Sequence, residues 1–144
     1  NYIHNEASQG HYCLVLSERI KHVRSLHKTF STLWPKIKAV CLTSKNSRTE
    51  RSQAIKAMNK GEINVLFATK LADEGLDIRR LDRLFLTCPI RSINKIKQQT
   101  GRILRTFPGK ADAVVYDFVD SLCSLANSQF YTRKKGAYVG YEIE

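Results

Sequence analysis

The chain has 144 residues, with 24 Lys and Arg against 13 Asp and Glu and a net charge of +11 at neutral pH. That length fits one domain and lets roughly 68–70% of the unfolded surface be buried, enough for a real core. A charge excess of this size points to a polyanionic partner. No apolar run approaches the ~20 residues needed to cross a bilayer and the start is not a signal peptide, so the sequence reads as soluble and intracellular, without a membrane partner.

Cys13, Cys41, Cys88 and Cys123 are widely spaced and form no C-x-x-C pair. They read as reduced thiols, and the four histidines make no recognisable metal pair either, so no metal site is expected. The chain begins with Asn1 and its only methionine is Met58, which reads as a piece of a longer polypeptide.

In chain order, Asn1 to Gly10 is polar and reads as a linker or incoming connection, leaving 11–144 as the folded domain. Tyr12 to Leu16 is a short apolar run suited to a strand buried on both faces. Ser17 is a candidate N-cap for a helix carrying Ile20, Val23, Leu26, Phe30 and Leu33 at helical spacing, with Pro35 closing the unit. Ile37 to Leu42 predicts a second strand. A polar loop holding Thr43, Ser44, Lys45 and Arg48 leads into a helix from about Thr49 to Asn59 that ends near Gly61.

Ile63 to Thr69 predicts a third strand and Arg83 to Cys88 a fourth, ended by Pro89. Ser92 is placed to cap the next helix. Phe107-Pro108-Gly109-Lys110 has Pro and Gly where a type II turn wants them, and Ala113 to Val119 predicts a fifth strand. A last helix is expected through Leu122, Leu125, Ala126 and Phe130. Beyond it Arg133, Lys134 and Lys135 interleave with Tyr131, Tyr138 and Tyr141, either to stack bases or, the reading preferred, to pack the tyrosines on the sheet edge. Alternating strands and helices imply crossover connections, hence an α/β three-layer sandwich with a mostly parallel sheet of five or six strands.

The stretch with most chemistry is Gln98-Gln99-Thr100-Gly101-Arg102-Ile103-Leu104-Arg105. On a helix at about 100° per residue, Gln98, Arg102 and Arg105 fall within roughly 60° of one another, while Ile93, Ile96, Ile103 and Leu104 cluster on the other side. Two guanidiniums and an amide on one face suit a group with many acceptor oxygens, such as nucleotide phosphates. Gly101 permits a close approach. From Arg91 to Lys110 there are six basic residues and no acidic one.

About thirty residues upstream stands Ala68-Thr69-Lys70-Leu71-Ala72-Asp73-Glu74-Gly75-Leu76-Asp77. In parallel sheets ligands bind at the carboxyl ends of strands, which is where Thr69 and Asp77 are expected. Asp73 and Glu74 also suit the charge preference of a helix N-terminus. The pair Ala-Thr-x-x-x-x-Glu-Gly-Leu-Asp and Gln-x-x-Gly-Arg-x-x-Arg resembles motifs V and VI of the superfamily 2 helicases and translocases, in the second of their two RecA-like motor domains. Ser17-Glu18-Arg19 resembles motif IV, on fewer residues.

The resemblance implies ATP and Mg2+ as cofactors in a longer parent, held mainly by a first RecA-like domain. This chain has no G-x-x-x-x-G-K-[ST] loop and no strand-borne Asp-Glu pair, so alone it is expected not to hydrolyse ATP. By resemblance Arg102 and Arg105 would act as arginine fingers, Gln98 would orient phosphate or water, and Glu74, Gly75, Asp77 and Gly101 would lie near the nucleotide. Thr69, Lys70, Thr43, Ser44 and Arg48 would touch the nucleic-acid backbone. Gln98-Gln99 and Leu104 depart from the His-Arg opening and the late glycine of DEAD-box RNA helicases, which favours DNA over RNA as the nucleic-acid partner. A non-catalytic nucleic-acid clamp, an RNA helicase domain and a partner of a nuclease are the other readings.

Overall fold

Strands of four residues each set the scale of this molecule. A computed structural model describes residues 1–69, 77–90 and 92–143. Among them the chain forms α1 (Tyr2–Ser8), β1 (Cys13–Leu16), α2 (Ile20–Leu33), β2 (Ala39–Leu42), α3 (Arg48–Lys60), β3 (Val65–Ala68), β4 (Arg83–Leu86), α4 (Ile93–Ile103), β5 (Val114–Asp117) and α5 (Ser124–Gly136). The five strands pair in parallel in the order β2-β3-β1-β4-β5, with Leu14 opposite Leu66 on one side and Leu84 on the other. This is the expected α/β three-layer arrangement.

Alternation along each strand divides the core. Leu14, Leu16, Leu66, Leu84 and Leu86 face a layer completed by Met58 of α3, Ile96 and Ile103 of α4, and Tyr138 beyond α5. Cys13, Val15, Val65, Phe67 and Phe85 face the other, with Ala7 of α1 and Val23 and Phe30 of α2. Burial on both faces explains why these runs are continuously apolar.

The helix ends follow local chemistry. Ser47 accepts from the Glu50 backbone N–H while Glu50 reaches back to the Ser47 N–H, a reciprocal pair that starts α3. Gly61 ends it at φ +78°, a left-handed conformation that strains any residue with a Cβ, and an added Cβ would stand 2.7 Å from the Tyr12 hydroxyl. Ser92 caps α4 as expected. Ser17 does not cap α2. Arg19 is the N-cap, and the Ser17 hydroxyl instead meets His22 Nδ1 at 2.8 Å and accepts from the Arg19 N–H.

The opening ten residues depart from their reading as a bare connection. Residues 2–8 are helical because Glu6 finds partners far along the chain: Arg83 Nε donates to Glu6 Oε2, and the Tyr116 hydroxyl donates to Oε1 at 2.5 Å. Arg83 is buried, and its remaining nitrogens meet Asp112 at 2.8 Å, the Asp82 carbonyl at 3.1 Å and His11 Nε2 at 2.9 Å. Burial pushes the Glu6 carboxyl up, but the hydrogen bonds from Tyr116 and Arg83 outweigh it and hold the group below its ordinary 4.5. Burial also lifts the Tyr116 phenol to about 12, assisted by Glu6.

Removing one partner of a buried ion pair strands the other charge, so Glu6→Ala is expected to cost about 3 kcal/mol in urea denaturation. The carboxylate's contribution is complete above pH 4.5 and is lost as pH falls through the lower folded-state value. Glu6→Gln should therefore flatten that part of the acid-unfolding curve, and an unchanged curve would show that α1 docks without this pair.

Candidate functional site

Thr69 of the first predicted motif stays at the carboxyl end of the sheet, whereas the second motif's helix carries Arg105 to the amino end. Helix α4 starts after the carboxyl end of β4 and runs back antiparallel to the strands, so its eleven residues traverse about 16 Å. Its last turn arrives beside Tyr12, Leu81 and Asp82, at the amino ends of β1 and β4. Arg105 stands there, past the helix, which ends at Ile103 with Leu104 as C-cap.

Leu104 is therefore 52% exposed and not part of the apolar stripe that Ile96 and Ile103 form. Gln98 is exposed and Arg102 half-buried on the outer side of α4. Gly101 is exposed, with no heavy atom within 4 Å of an ideal Cβ, so whatever comes close to it is not part of the described chain. Gln99 and Thr100 point inward. The Gln99 side-chain oxygen is buried without a hydrogen-bond partner among the described residues.

Asp77 is not at the carboxyl edge. It joins Arg105, with Nη1 of Arg105 donating to Oδ1, while Arg79 Nε lies 3.4 Å from Oδ2. Asn59 at the end of α3 holds the Asp77 backbone there, and Ile78 and Leu81 are buried in the core between it and the start of β4. The Arg105 hydrogen bond, helped by Arg79, holds the Asp77 carboxyl below its usual range. Asp77, Arg79, Arg105 and Thr106 line an open cavity of about 310 Å³ whose charge is set by two guanidiniums against one carboxylate.

Three residues that sequence reasoning missed hold this cluster. The Asn59 side chain donates to the Asp77 carbonyl at 2.8 Å and accepts from the Arg79 N–H at 3.2 Å, which fixes the backbone on both sides of Ile78. Arg80 donates to the Asn59 carbonyl at 2.7 Å and lies over the Phe107 ring at 4.6 Å. Lys110 places its ammonium among the carbonyls of Leu81 at 2.7 Å, Arg105 at 2.8 Å and Ile103. These include orphan acceptors at the end of α4, where a cation also complements the helix dipole. Burial lowers the Lys110 pKa. The only sequence signal was the turn before it, which forms as expected, with Gly109 at φ +83° and Lys110 N–H donating to the Phe107 carbonyl at 3.1 Å.

The other predicted residues sit at the carboxyl edge. Thr69 is buried at the end of β3. Ser44, Lys45 and Arg48 are exposed in the loop after β2. Thr43 is buried and committed: its N–H and hydroxyl meet Asn46 Oδ1, and its oxygen accepts from the Lys45 N–H, so it shapes the loop and does not face solvent. Lys70, Asp73, Glu74 and Gly75 lie outside the described residues. Among the described residues no group of His, Cys, Asp and Glu is arranged to hold a metal ion.

A five-stranded parallel α/β sheet with Arg102 in the last turn of a capped helix and Arg105 just beyond it is the architecture of a RecA-like domain. The chain belongs to the helicase conserved C-terminal domain family, which it matches over residues 1–107. It is 33% identical over 107 residues to a candidate helicase, helicase 22, of the Sulfolobus islandicus filamentous virus, covering 74% of this chain and 19% of that protein. It is 33% identical over 98 residues to a candidate ATP-dependent helicase, IRC3, of Saccharomyces cerevisiae, covering 68% and 14%. A shorter match at 33% over 67 residues, 41% of this chain and 6% of the relative, is to the ATP-dependent DNA helicase MPH1 of Debaryomyces hansenii. The chain thus spans less than a fifth of the length of these relatives.

Among solved structures, the C-terminal domain of a Saccharomyces cerevisiae Dbp5 variant bound to Gle1 superposes with a TM-score of 0.73 at 16% identity, covering 99% of this chain and 79% of that one. Domain 2 of the Mss116p DEAD-box helicase bound to an RNA duplex gives 0.67 at 16%, covering 79% and 44%. The fold and the superfamily 2 assignment therefore agree with the reading of the sequence.

Two substitutions separate support from display. Lys110→Met, which keeps the aliphatic stem and removes the charge, is expected to destabilise by about 2–3 kcal/mol in urea denaturation, because the carbonyls it leaves lose charged partners. Gly101→Ala is expected to raise stability by about 0.5–1 kcal/mol, since the site is exposed and helical and meets no neighbour. A loss of stability there would show that Gly101 serves packing within the domain.

Proposed function

We propose that this domain completes an ATP site on a partner RecA-like domain of the same polypeptide and forms part of a nucleic-acid track. ATP and Mg2+ would be held mainly by that first domain. Arg102 and Arg105 approach the γ-phosphoryl group as arginine fingers, and Gln98, one turn before Arg102, orients phosphate or water. The observation that carries the reading is the cluster of Arg105, Arg79 and Asp77 at the end of α4, exposed and held in place by Lys110 and Asn59.

Asp77 gives the finger a resting place. Its pair with Arg105 is solvent-screened, so it opens at small cost when a more highly charged phosphate competes for the fork. Exposed Gly101 lets the opposing domain approach α4. We assign Ser44 and Arg48, exposed in the loop after β2, and Thr69 at the end of β3 to the nucleic-acid contact, with Lys70 joining them by the motif resemblance alone, while Thr43 supports the loop that presents two of them.

DNA is the proposed substrate. The motif spelling favours it, and a relative at 33% identity is named a DNA helicase. The match of fold to RNA-bound Mss116p is at 16% identity and bears on architecture.

A finger of this kind is worth roughly 10³ to 10⁵ in turnover, or about 4–7 kcal/mol at the transition state. In a longer polypeptide that contains this domain, Arg105→Ala should lower strand-stimulated ATP turnover by that factor while circular dichroism stays unchanged. Arg105→Lys should fail to restore it, because a point charge lacks the bidentate fork. Stimulation by single-stranded DNA but not RNA would support the substrate. Full turnover in the alanine variant would end the finger assignment, and no turnover with salt-dependent binding would favour a clamp.

A further inference from the structure

We infer that the outer face of α2 is a second phosphate-binding surface, which carries the nucleic-acid backbone away from the loops at the strand ends. The inference rests on the nucleic-acid part of the proposed function. Its central residues, Lys21, Arg24 and Lys28, belong to no motif that the sequence singled out.

The charge pattern is the first observation. Between Arg19 and Thr49 there are eight Lys and Arg and no carboxylate. On α2 itself, Lys21, Arg24 and Lys28 fall within about 60° of one another at 100° per residue, spaced by about 4.5 and 6 Å along the axis. All three are exposed, as is the N-cap Arg19. A duplex strand offers one phosphate per about 3.4 Å of axis, so a straight basic row at this spacing meets roughly every one to two phosphates.

The second observation is that no described carboxylate pairs with the row. Among the described residues, none of Arg19, Lys21, Arg24 or Lys28 is in an ion pair. The described carboxylates that precede the row in the chain are engaged elsewhere. Glu18 pairs with Lys95, and Glu6 with Arg83 and Tyr116.

Position supplies the third. The row begins at Arg19, directly after β1, and Arg24 acts electrostatically on Cys41 of β2, one residue before the end of that strand. It therefore starts at the same carboxyl edge of the sheet as the exposed Ser44, Lys45 and Arg48 of the loop after β2. The apolar side of α2 is already spent on the sheet through Val23 and Phe30. A helix with no free apolar face can hold a polyanion but cannot insert into a bilayer.

The test uses this chain and a fluorescein-labelled 30-nucleotide single-stranded DNA, with anisotropy read from 0.05 to 0.3 M NaCl. Three lost phosphate contacts reduce the slope of log K against log salt by about 2 for a single strand, about 100-fold in affinity at 0.1 M. The triple variant Lys21→Gln/Arg24→Gln/Lys28→Gln should show that change with its thermal midpoint unaltered. A charge-matched control, Lys56→Gln/Lys134→Gln/Lys135→Gln, removes exposed cations from the opposite layer and should leave the slope within about 0.5.

Equal losses in both variants would reduce the effect to net charge and overturn the surface. Tight DNA binding untouched by the α2 variant would overturn it while leaving the nucleic-acid reading intact, whereas no DNA binding by the unmodified chain would overturn both. Stronger binding to vesicles with anionic headgroups than to DNA, lost in the α2 variant, would assign the row to a membrane surface and reject this proposal.

Discussion

Strand β1 is paired on both edges by strands that appear only later in the chain, and most of the architecture follows from this constraint. All four of its residues are 2% exposed or less, so β3 and β4 must flank it and helices must cover it above and below. Crossovers leave β1 in one direction towards β2 and leave β4 in the other towards β5, with right-handed connections the rule for such units. The helices are thereby sorted into two layers. Helices α1 and α2 lie on one, α3, α4 and α5 on the other, and the cations they carry are segregated with them.

Antiparallel passage of the helices then separates the two chemistries. A strand of four residues and a helix of eleven differ in length, so α4 overshoots the strand it follows and delivers Arg105 to the amino end of the sheet. The hydroxyl and basic loops remain at the carboxyl end. Nucleotide chemistry and strand binding, if they occur as proposed, are joined by a helix whose inner face is fully packed and whose exit is held by Lys110. The half-exposed Arg105 side chain can swing, but a shift of its backbone has to move α4, or the 77–82 segment that Asn59 and Lys110 tie to it.

Much of this was legible in the sequence because the signals were local. Ser92, Gly61 and the Pro108-Gly109 turn each act within a few residues, and every strand lies inside a run predicted for it. What was missed depended on partners far along the chain. Helix α1 was read as a connection because Glu6 is polar, and its reasons, Arg83 and Tyr116, are 77 and 110 residues away. Arg133 looked like part of a basic tail, yet it is 1% exposed and donates two hydrogen bonds to Asp117, which also accepts from Tyr138. The tyrosines divided accordingly: Tyr138 packs as preferred, while Tyr131 stays 60% exposed.

The candidate site shows the same boundary. Arg102, Arg105, Gln98 and Gly101 could be found by spacing, since a helical face repeats with a known period. Asp77 was expected at the carboxyl edge and lies at the other end, because the rule for parallel sheets describes residues that directly follow a strand, and Asp77 belongs to the approach to the next one. Asn59, Arg80 and Lys110 had no periodic signal at all. They act by offering donors to backbone carbonyls, which every residue has, so no pattern of side chains announces them. The same reasoning explains why the α2 row passed unnoticed. Each of its cations is ordinary in isolation, and only the docking of Val23 and Phe30 decides that the other face is the one left to solvent.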